Sequence, residues 1–208
     1  MPGECSLYLE YQVPPPEGDG VASHTDLMVL SDQDSLAVEA KWTEPRYETV
    51  KAWRDKGKDS ENRRKVLKGW LGLLQRQAGR ELHMEDFSNA IYQMVHRAAS
   101  ACAAGARPRL AYLVFKLPPD HPDHPERTAS IQQIKDDLKH LWELLGSPKS
   151  FPFYLVEQPL SFAPAFESLS KLPKADERTA EQVKAALAGE NWLFRFAGYS
   201  VAKIGEST

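Results

Sequence analysis

Apolar and polar residues alternate along Ser35–Trp42 (SLAVEAKW). Leu36, Val38, Ala40 and Trp42 fall on one side, and Ala37, Glu39 and Lys41 on the other. A period of two is that of a β-strand, so Glu39 and Lys41 share a face. Ser6–Val13 (SLYLEYQV) is rich in β-formers and stops at Pro14-Pro15-Pro16, which has no ladder donors. His24–Leu30 (HTDLMVL) is a third strand candidate, joined to Ser35–Trp42 by the short polar Ser31-Asp32-Gln33-Asp34 of a hairpin connection.

The period then changes. Arg46–Gln77 reads as helix broken near Lys56-Gly57-Lys58, with Asp59 or Ser60 as the cap of its second piece. Leu67, Trp70, Leu71 and Leu74 form its apolar stripe. Phe87–Ala104 predicts a further helix, with Ile91, Val95, Ala98 and Cys102 on one line and Asn89, Gln93, His96, Arg97 and Ser100 on the opposite one. Its many alanines allow close approach to a sheet. Arg109–Leu117 is a nearly continuous apolar run, as in a strand covered on both faces. A proline-rich loop, Pro118–Glu126, precedes a helix over Ile131–Leu145, which Gly146 stops, and a short strand over Phe153–Val156. Beyond Gln158 the pattern predicts only a helix over Glu181–Ala188 and an extended stretch over Trp192–Val201. Three strands, helices, a buried strand, a helix and a strand make a mixed β-sheet flanked by helices, an α/β fold. Residues 1–160 are expected to form the domain, and 161–208 an extension packed on it.

Composition narrows the class. The chain has 208 residues, 42% hydrophobic and 26% charged, which excludes wholesale disorder. No window has the roughly eighteen apolar residues of a membrane span. The N-terminal Met-Pro-Gly-Glu-Cys lacks a basic region and apolar core, so no secretory signal is expected. Two cysteines, Cys5 and Cys102, suit a reduced cytoplasm. A net charge of −3 argues against a protein that coats nucleic acid, but permits a local basic patch.

The candidate chemistry is Asp26 followed, after a hairpin-length gap, by Glu39-Ala40-Lys41. Carboxylates on neighbouring strands can converge on one hard divalent cation. Magnesium keeps several waters, so Asp26, Glu39 and the main-chain carbonyl of Ala40 would suffice. Lys41, beside Glu39, could hold a water or neutralise charge on a phosphorane-like transition state. The competing reading is a plain surface pair of Glu39 and Lys41, worth roughly 0–1 kcal/mol. Against it stands the apolar setting of both strands, where an unpartnered charge costs several kcal/mol.

His24-Thr25-Asp26 with Val38-Glu39-Ala40-Lys41 resembles the active-site signature of the PD-(D/E)xK nuclease superfamily, the restriction-endonuclease-like fold. Tyr92-Gln93-Met94-Val95-His96-Arg97 resembles the superfamily's helix that carries a glutamine, with Gln93 as the match. Val38–Trp53 and Tyr92–Ala101 also resemble an uncharacterised bacterial family known only as nuclease-like. The similarity spans roughly residues 24 to 156. It implies a nuclease acting on DNA or RNA with magnesium, or manganese, held by Asp26 and Glu39. Lys41 would assist and Gln93 would orient the water or the lysine. A catalytically inactive binding module on the same fold is the alternative. Two departures stand out. Thr25 occupies the place of the name-giving proline, and no opening helix precedes the first strand; Glu10 is the nearest upstream acid.

Lesser signals remain. Lys51–Lys68 carries eight basic residues against three acidic ones, a net +5 that could track a phosphate backbone or be a solvated helix face. Trp53 and Trp70 read as core rather than as base-stacking platforms. Asp120-His121-Pro122-Asp123-His124 has transition-metal ligands but no evident third partner. His96 reads as a relay or as a polar helix tip, and Glu44 as an auxiliary acid or a loop ion pair. A homodimer is compatible with cutting two strands, and no membrane partner is expected.

Overall fold

The computed structural model describes residues 4–42, 44–56, 59–116, 130–173, 177, 179–187 and 192–206. The Asp120–His124 segment lies outside them. Strands β1 (Ser6–Val13), β2 (Ser23–Leu30) and β3 (Asp34–Lys41) open the chain. Helices α1 (Val50–Asp55) and α2 (Ser60–Gln75) follow, then a 3-10 turn over Met84–Asn89 and α3 (Tyr92–Ala104). Next come β4 (Arg107–Lys116), α4 (Ile131–Leu144) and β5 (Phe153–Phe162). Two short helices, α5 (Pro164–Ser170) and α6 (Ala180–Ala186), precede β6 (Phe194–Phe196) and β7 (Ser200–Lys203).

The strands form one seven-stranded sheet in the order β1-β2-β3-β4-β5-β6, with β7 also paired to β5. The first three form an antiparallel meander. β4 lies parallel to β3, and β5 parallel to β4. β6 and β7 return antiparallel to β5. The fold is therefore mixed α/β, as the pattern predicted. Among the described residues no helix is long and apolar enough to cross a membrane.

One face of the sheet carries the core. Ala37, Leu110, Tyr112, Phe153 and Leu155 lie in register there, beneath Val95, Ala98 and Cys102 of α3 and Ile134, Leu138 and Leu141 of α4. Leu67, Trp70 and Leu74 bring α2 against α3, the predicted stripe. Trp70 is core and Trp53 packs at its margin. On the opposite face of β4, Arg109, Leu113 and Phe115 are only half-buried.

Several boundaries differ from expectation, the start of α1 at Val50 rather than Arg46 and the division of Trp192–Val201 between β6 and β7 among them. The helix predicted over Phe87–Ala104 breaks at Ala90-Ile91. There the chain pairs briefly with Glu48–Val50: Val50 N donates to the Ala90 carbonyl at 2.8 Å, and Tyr92 N to the Glu48 carbonyl at 3.1 Å. β5 runs to Phe162 rather than stopping at Val156, because β4 pairs it through Pro159 and β6 pairs Leu160–Phe162. It therefore crosses residue 160, so domain and extension share a strand. Asp59 does cap α2, accepting from Asn62 N at 3.0 Å.

Gly105 ends α3 against β3. A Cβ there would stand 2.8 Å from Ser35 Oγ and 3.0 Å from Ser35 N. Ser35 is fully buried and donates to the Ala101 carbonyl at 2.7 Å, so it has no room to give. Gly105→Ala should lower stability by about 1–3 kcal/mol, read as a reduced urea midpoint. Gly72→Ala, with open space around it, is the neutral or stabilising control.

Candidate active site

The site forms where β2 and β3 part. Their ladder pairs Leu27 with Val38 and, continued by one step, would set Asp26 opposite Glu39. Asp26 Oδ2 instead accepts from the main-chain N–H of Ala40 at 2.6 Å, a side chain standing in for a strand carbonyl. The β1 side also lets go. Leu9 pairs Leu27 and Tyr11 pairs Thr25, while Glu10 between them sits at a left-handed φ of 50°. Both neighbours thus release the strand at Asp26. The inward-facing set of β2 shifts there, from Ser23 and Thr25 to Met28. Thr25, in the proline's place, is fully buried.

Glu39 is 2% exposed, so the surface-pair reading does not hold. Its Oε1 accepts from Lys41 Nζ at 2.9 Å and from Gln93 Nε2 at 2.8 Å. Its Oε2 accepts from Arg97 Nε in a buried ion pair. Gln93 and Arg97 stand one turn apart on α3, so both reach one carboxylate. The break at Ala90-Ile91 starts α3 just before Gln93 and aims its polar line at the sheet. Lys41 Nζ also lies 4.6 Å from the ring centre of Tyr47, which caps it. Tyr112, paired with Glu39 across β3 and β4, is buried beneath. Burial, Glu39, Tyr47 and Asp26 all push its phenol well above the ordinary range, against a smaller pull from Arg97. It therefore stays neutral, and both carboxylates act on it.

A second layer holds Arg97. Its Nη1 donates to Ser23 Oγ at 2.7 Å and lies 3.2 Å from His96 Nδ1. A guanidinium has no acceptor, so Nδ1 must accept and the imidazole proton sits on Nε2. Ser23 Oγ, 2.8 Å from the same Nδ1, donates to it. Ser100 Oγ closes the group, 3.0 Å from Ser23 Oγ. Burial, then the Arg97 and Lys41 cations, hold His96 well below the ordinary histidine range. His96 is thus a half-buried neutral acceptor toward Arg97 and Ser23, not a polar helix tip.

The structure brings Glu39, Lys41 and Gln93 into direct contact, and Asp26 to the neighbouring residue Ala40. Sequence reasoning missed Arg97, Ser23, Tyr47 and Tyr112. A signal for Arg97 was present: Gln93, Arg97 and Ser100 repeat at four and three residues in an alanine-rich helix. Such a helix can be covered all round, and then its polar line must face a partner. Glu44 accepts from Trp42 N at 2.7 Å and lines the small cavity beside Lys41 and Gln93; among the described residues it makes no ion pair. Glu10 is exposed and lies 3.9 Å from His24. In the basic segment, Lys51, Lys56, Arg64, Lys65 and Lys68 are exposed, while Arg54 and Arg63 are half-buried.

The donors suit a hard cation in type: two carboxylates and a main-chain carbonyl. A carboxylate offers roughly four lone-pair positions. Glu39 uses three of them and Asp26 one, so acceptor capacity remains on both. Lys41 and Arg97 already balance the two negative charges, and that raises the cost of adding a dication. Among the described residues no group of three or more His, Cys, Asp and Glu side chains converges as a metal cage.

Two outcomes follow from these contacts. Arg97→Met strips Glu39 of its Oε2 partner and should destabilise by about 3–5 kcal/mol, whereas Arg97→Met with Glu39→Gln should recover part of that loss in a double-mutant cycle. Additive losses in urea melts would refute the coupling. His96 stays neutral in the native state and protonates in the unfolded chain near pH 6.5. The unfolded state therefore binds more protons below that pH, and stability falls as pH drops through about 6.5 and beyond. His96→Asn, which keeps an acceptor for Arg97 and Ser23, should flatten the melting temperature between roughly pH 7 and pH 5.

No curated protein and no solved structure matches the chain. A family model does, over residues 4–149, a span that holds Asp26, Glu39, Lys41, Gln93 and Arg97 and stops before β5. The chain belongs to that family, described as a domain of unknown function, DUF6946.

Proposed function

We propose that the protein is a nuclease of the restriction-endonuclease-like kind, which hydrolyses phosphodiester bonds of DNA or RNA with a divalent cation. The observation that carries this reading is the grouping of Glu39, Lys41 and Gln93 on one carboxylate oxygen, beside the strand opening that Asp26 makes. The order of elements supports it: an antiparallel meander, then α3, then a strand parallel to β3.

Asp26, Glu39 and the Ala40 carbonyl would hold magnesium, or manganese, which when bound polarises a phosphate and acidifies a water. Lys41 and Gln93 share Oε1, so their remaining N–H groups fan into the same space. A lysine there offsets charge that builds on the phosphate, and a glutamine orients a water. Tyr47 covers Lys41 and has to turn aside for a phosphate to reach it. The cavity that Lys41, Tyr47, Gln93 and Tyr112 line is only about 20 Å³.

A second reading has its own observation. Arg97 holds Glu39 in a charge-balanced pair, and such a buried group can serve the fold without chemistry. Calorimetric titration with magnesium and with manganese separates the two. The nuclease reading expects binding that Asp26→Asn abolishes, and cleavage of plasmid, single-stranded DNA or RNA that falls at least a hundredfold in Lys41→Ala, on the order of one lost electrostatic donor. Heat from neither ion, or equal cleavage by Lys41→Ala, would leave the non-catalytic module standing.

A further inference from the structure

A wider opening than the one at Lys41 lies elsewhere in the fold. A cleft of about 550 Å³ lies between residues 19–23, α1, α2 and the start of α3. That volume is in the range of small-molecule sites. Trp53, Val66, Trp70 and Tyr92 form its apolar wall. Trp53 and Tyr92 stack at 3.7 Å and 10°, which gives that wall a fixed shape. His96 lines it too. Its Nδ1 is taken by Ser23 and Arg97, which leaves Nε2–H as the nitrogen for an occupant. The Tyr92 hydroxyl is pushed up to about 12 by burial, so it remains a donor at neutral pH.

The charges decide what fits. Among the described residues Asp19 and Asp59 line the cleft with Arg63 as their cation, so an anion is disfavoured inside. Asp59 already accepts from Asn62 N, and the remaining carboxylate oxygens could accept from ring N–H and amino groups. Lys51, Arg64 and Lys65 are exposed on α1 and α2 but fall on faces turned from the lining residues Trp53, Asn62, Arg63 and Val66, and Lys65 pairs with Glu61. A flat, neutral ring with hydrogen-bonding edges matches the interior, and the half-buried Arg63 is the lining cation that could meet a phosphate attached to it. Only an unpaired base can be presented that way without opening a duplex.

We propose that this cleft binds an unpaired nucleobase, and that single-stranded nucleic acid is the polymer held beside Glu39. The second half rests on the nuclease reading; the cleft itself does not. Ser23 joins the two places, since it lines the cleft and bonds the Arg97 that holds Glu39. An occupant that accepts from His96 acts on the same hydrogen-bonded chain.

The test is binding without metal, in chelator, so that cutting plays no part. A labelled single-stranded oligonucleotide, its duplex and a nucleoside monophosphate are titrated, with anisotropy and tryptophan emission as readouts. Trp53 and Trp70 report on the cleft itself. Gly20→Leu fills it: a Cβ at Gly20 meets only Pro15 Cγ at 3.6 Å and Val66 Cγ2 at 3.8 Å, which is ordinary contact. Ala22→Phe serves as a second filling variant, and unchanged melting confirms the fold of each. The single strand should bind roughly tenfold tighter than the duplex, shift tryptophan emission, and lose roughly tenfold in either variant. Binding of the monophosphate but not the strand keeps the nucleobase site and overturns the polymer. Equal binding of strand and duplex, untouched by both variants, reduces the effect to backbone charge and overturns the proposal, as does no binding. Cleft-dependent binding with no cleavage in magnesium or manganese would sink the nuclease reading alone.

Discussion

A carboxylate at 2% exposure needs donors, and Glu39 has three. An isolated buried ion costs several kcal/mol, so the surrounding elements must deliver cations and amides to it. Lys41 comes from the same strand by the period of two. Gln93 and Arg97 come from α3 by the period of 3.6. Neither can arrive unless α3 turns its polar line toward the sheet, and that orientation is fixed by where the helix begins. The pairing of Glu48–Val50 with Ala90–Tyr92 sets that start. A short bridge far along the chain thus governs the charge balance of the centre.

Asp26 answers a different constraint. Its side chain replaces a carbonyl of the β2–β3 ladder, and the strands open by the space that the substitution needs. Glu10, at positive φ, releases the other edge of the same strand. The result is a sheet with a local gap at its most polar point, in which acceptor capacity remains on both carboxylates. Beyond it, Ser23 and His96 extend the polar chain through the helix layer to the large cleft. Small and large cavities therefore stand at two ends of one hydrogen-bonded path, from Lys41 through Glu39, Arg97 and Ser23 to His96.

The first three strands, α2 with its cap, β4 and α4 were legible because each carries a clean period or a capping residue within itself. Glu39 and Lys41 on one face followed from the same rule. The misjudged boundaries share a cause. β5 is long because β4, about forty residues earlier, and β6, about thirty residues later, pair with it past Val156, and no window around Val156 contains them. The split of the Phe87–Ala104 helix depends on a partner near Thr49. His96 reads as a polar tip until α2 closes over it and Trp70 comes within 6.2 Å.

The sequence by itself determined the periods, the caps and the presence of an acid, an acid-x-lysine pair and a glutamine-bearing helix. These are local properties, written in neighbouring residues and read from backbone geometry. Only the tertiary structure decided that Arg97 holds Glu39, that Lys41 lies under Tyr47, and that a wide cleft opens on the far side of Ser23. Those contacts join residues 6 to 77 positions apart, and their energies depend on which groups lose water together when the layers close.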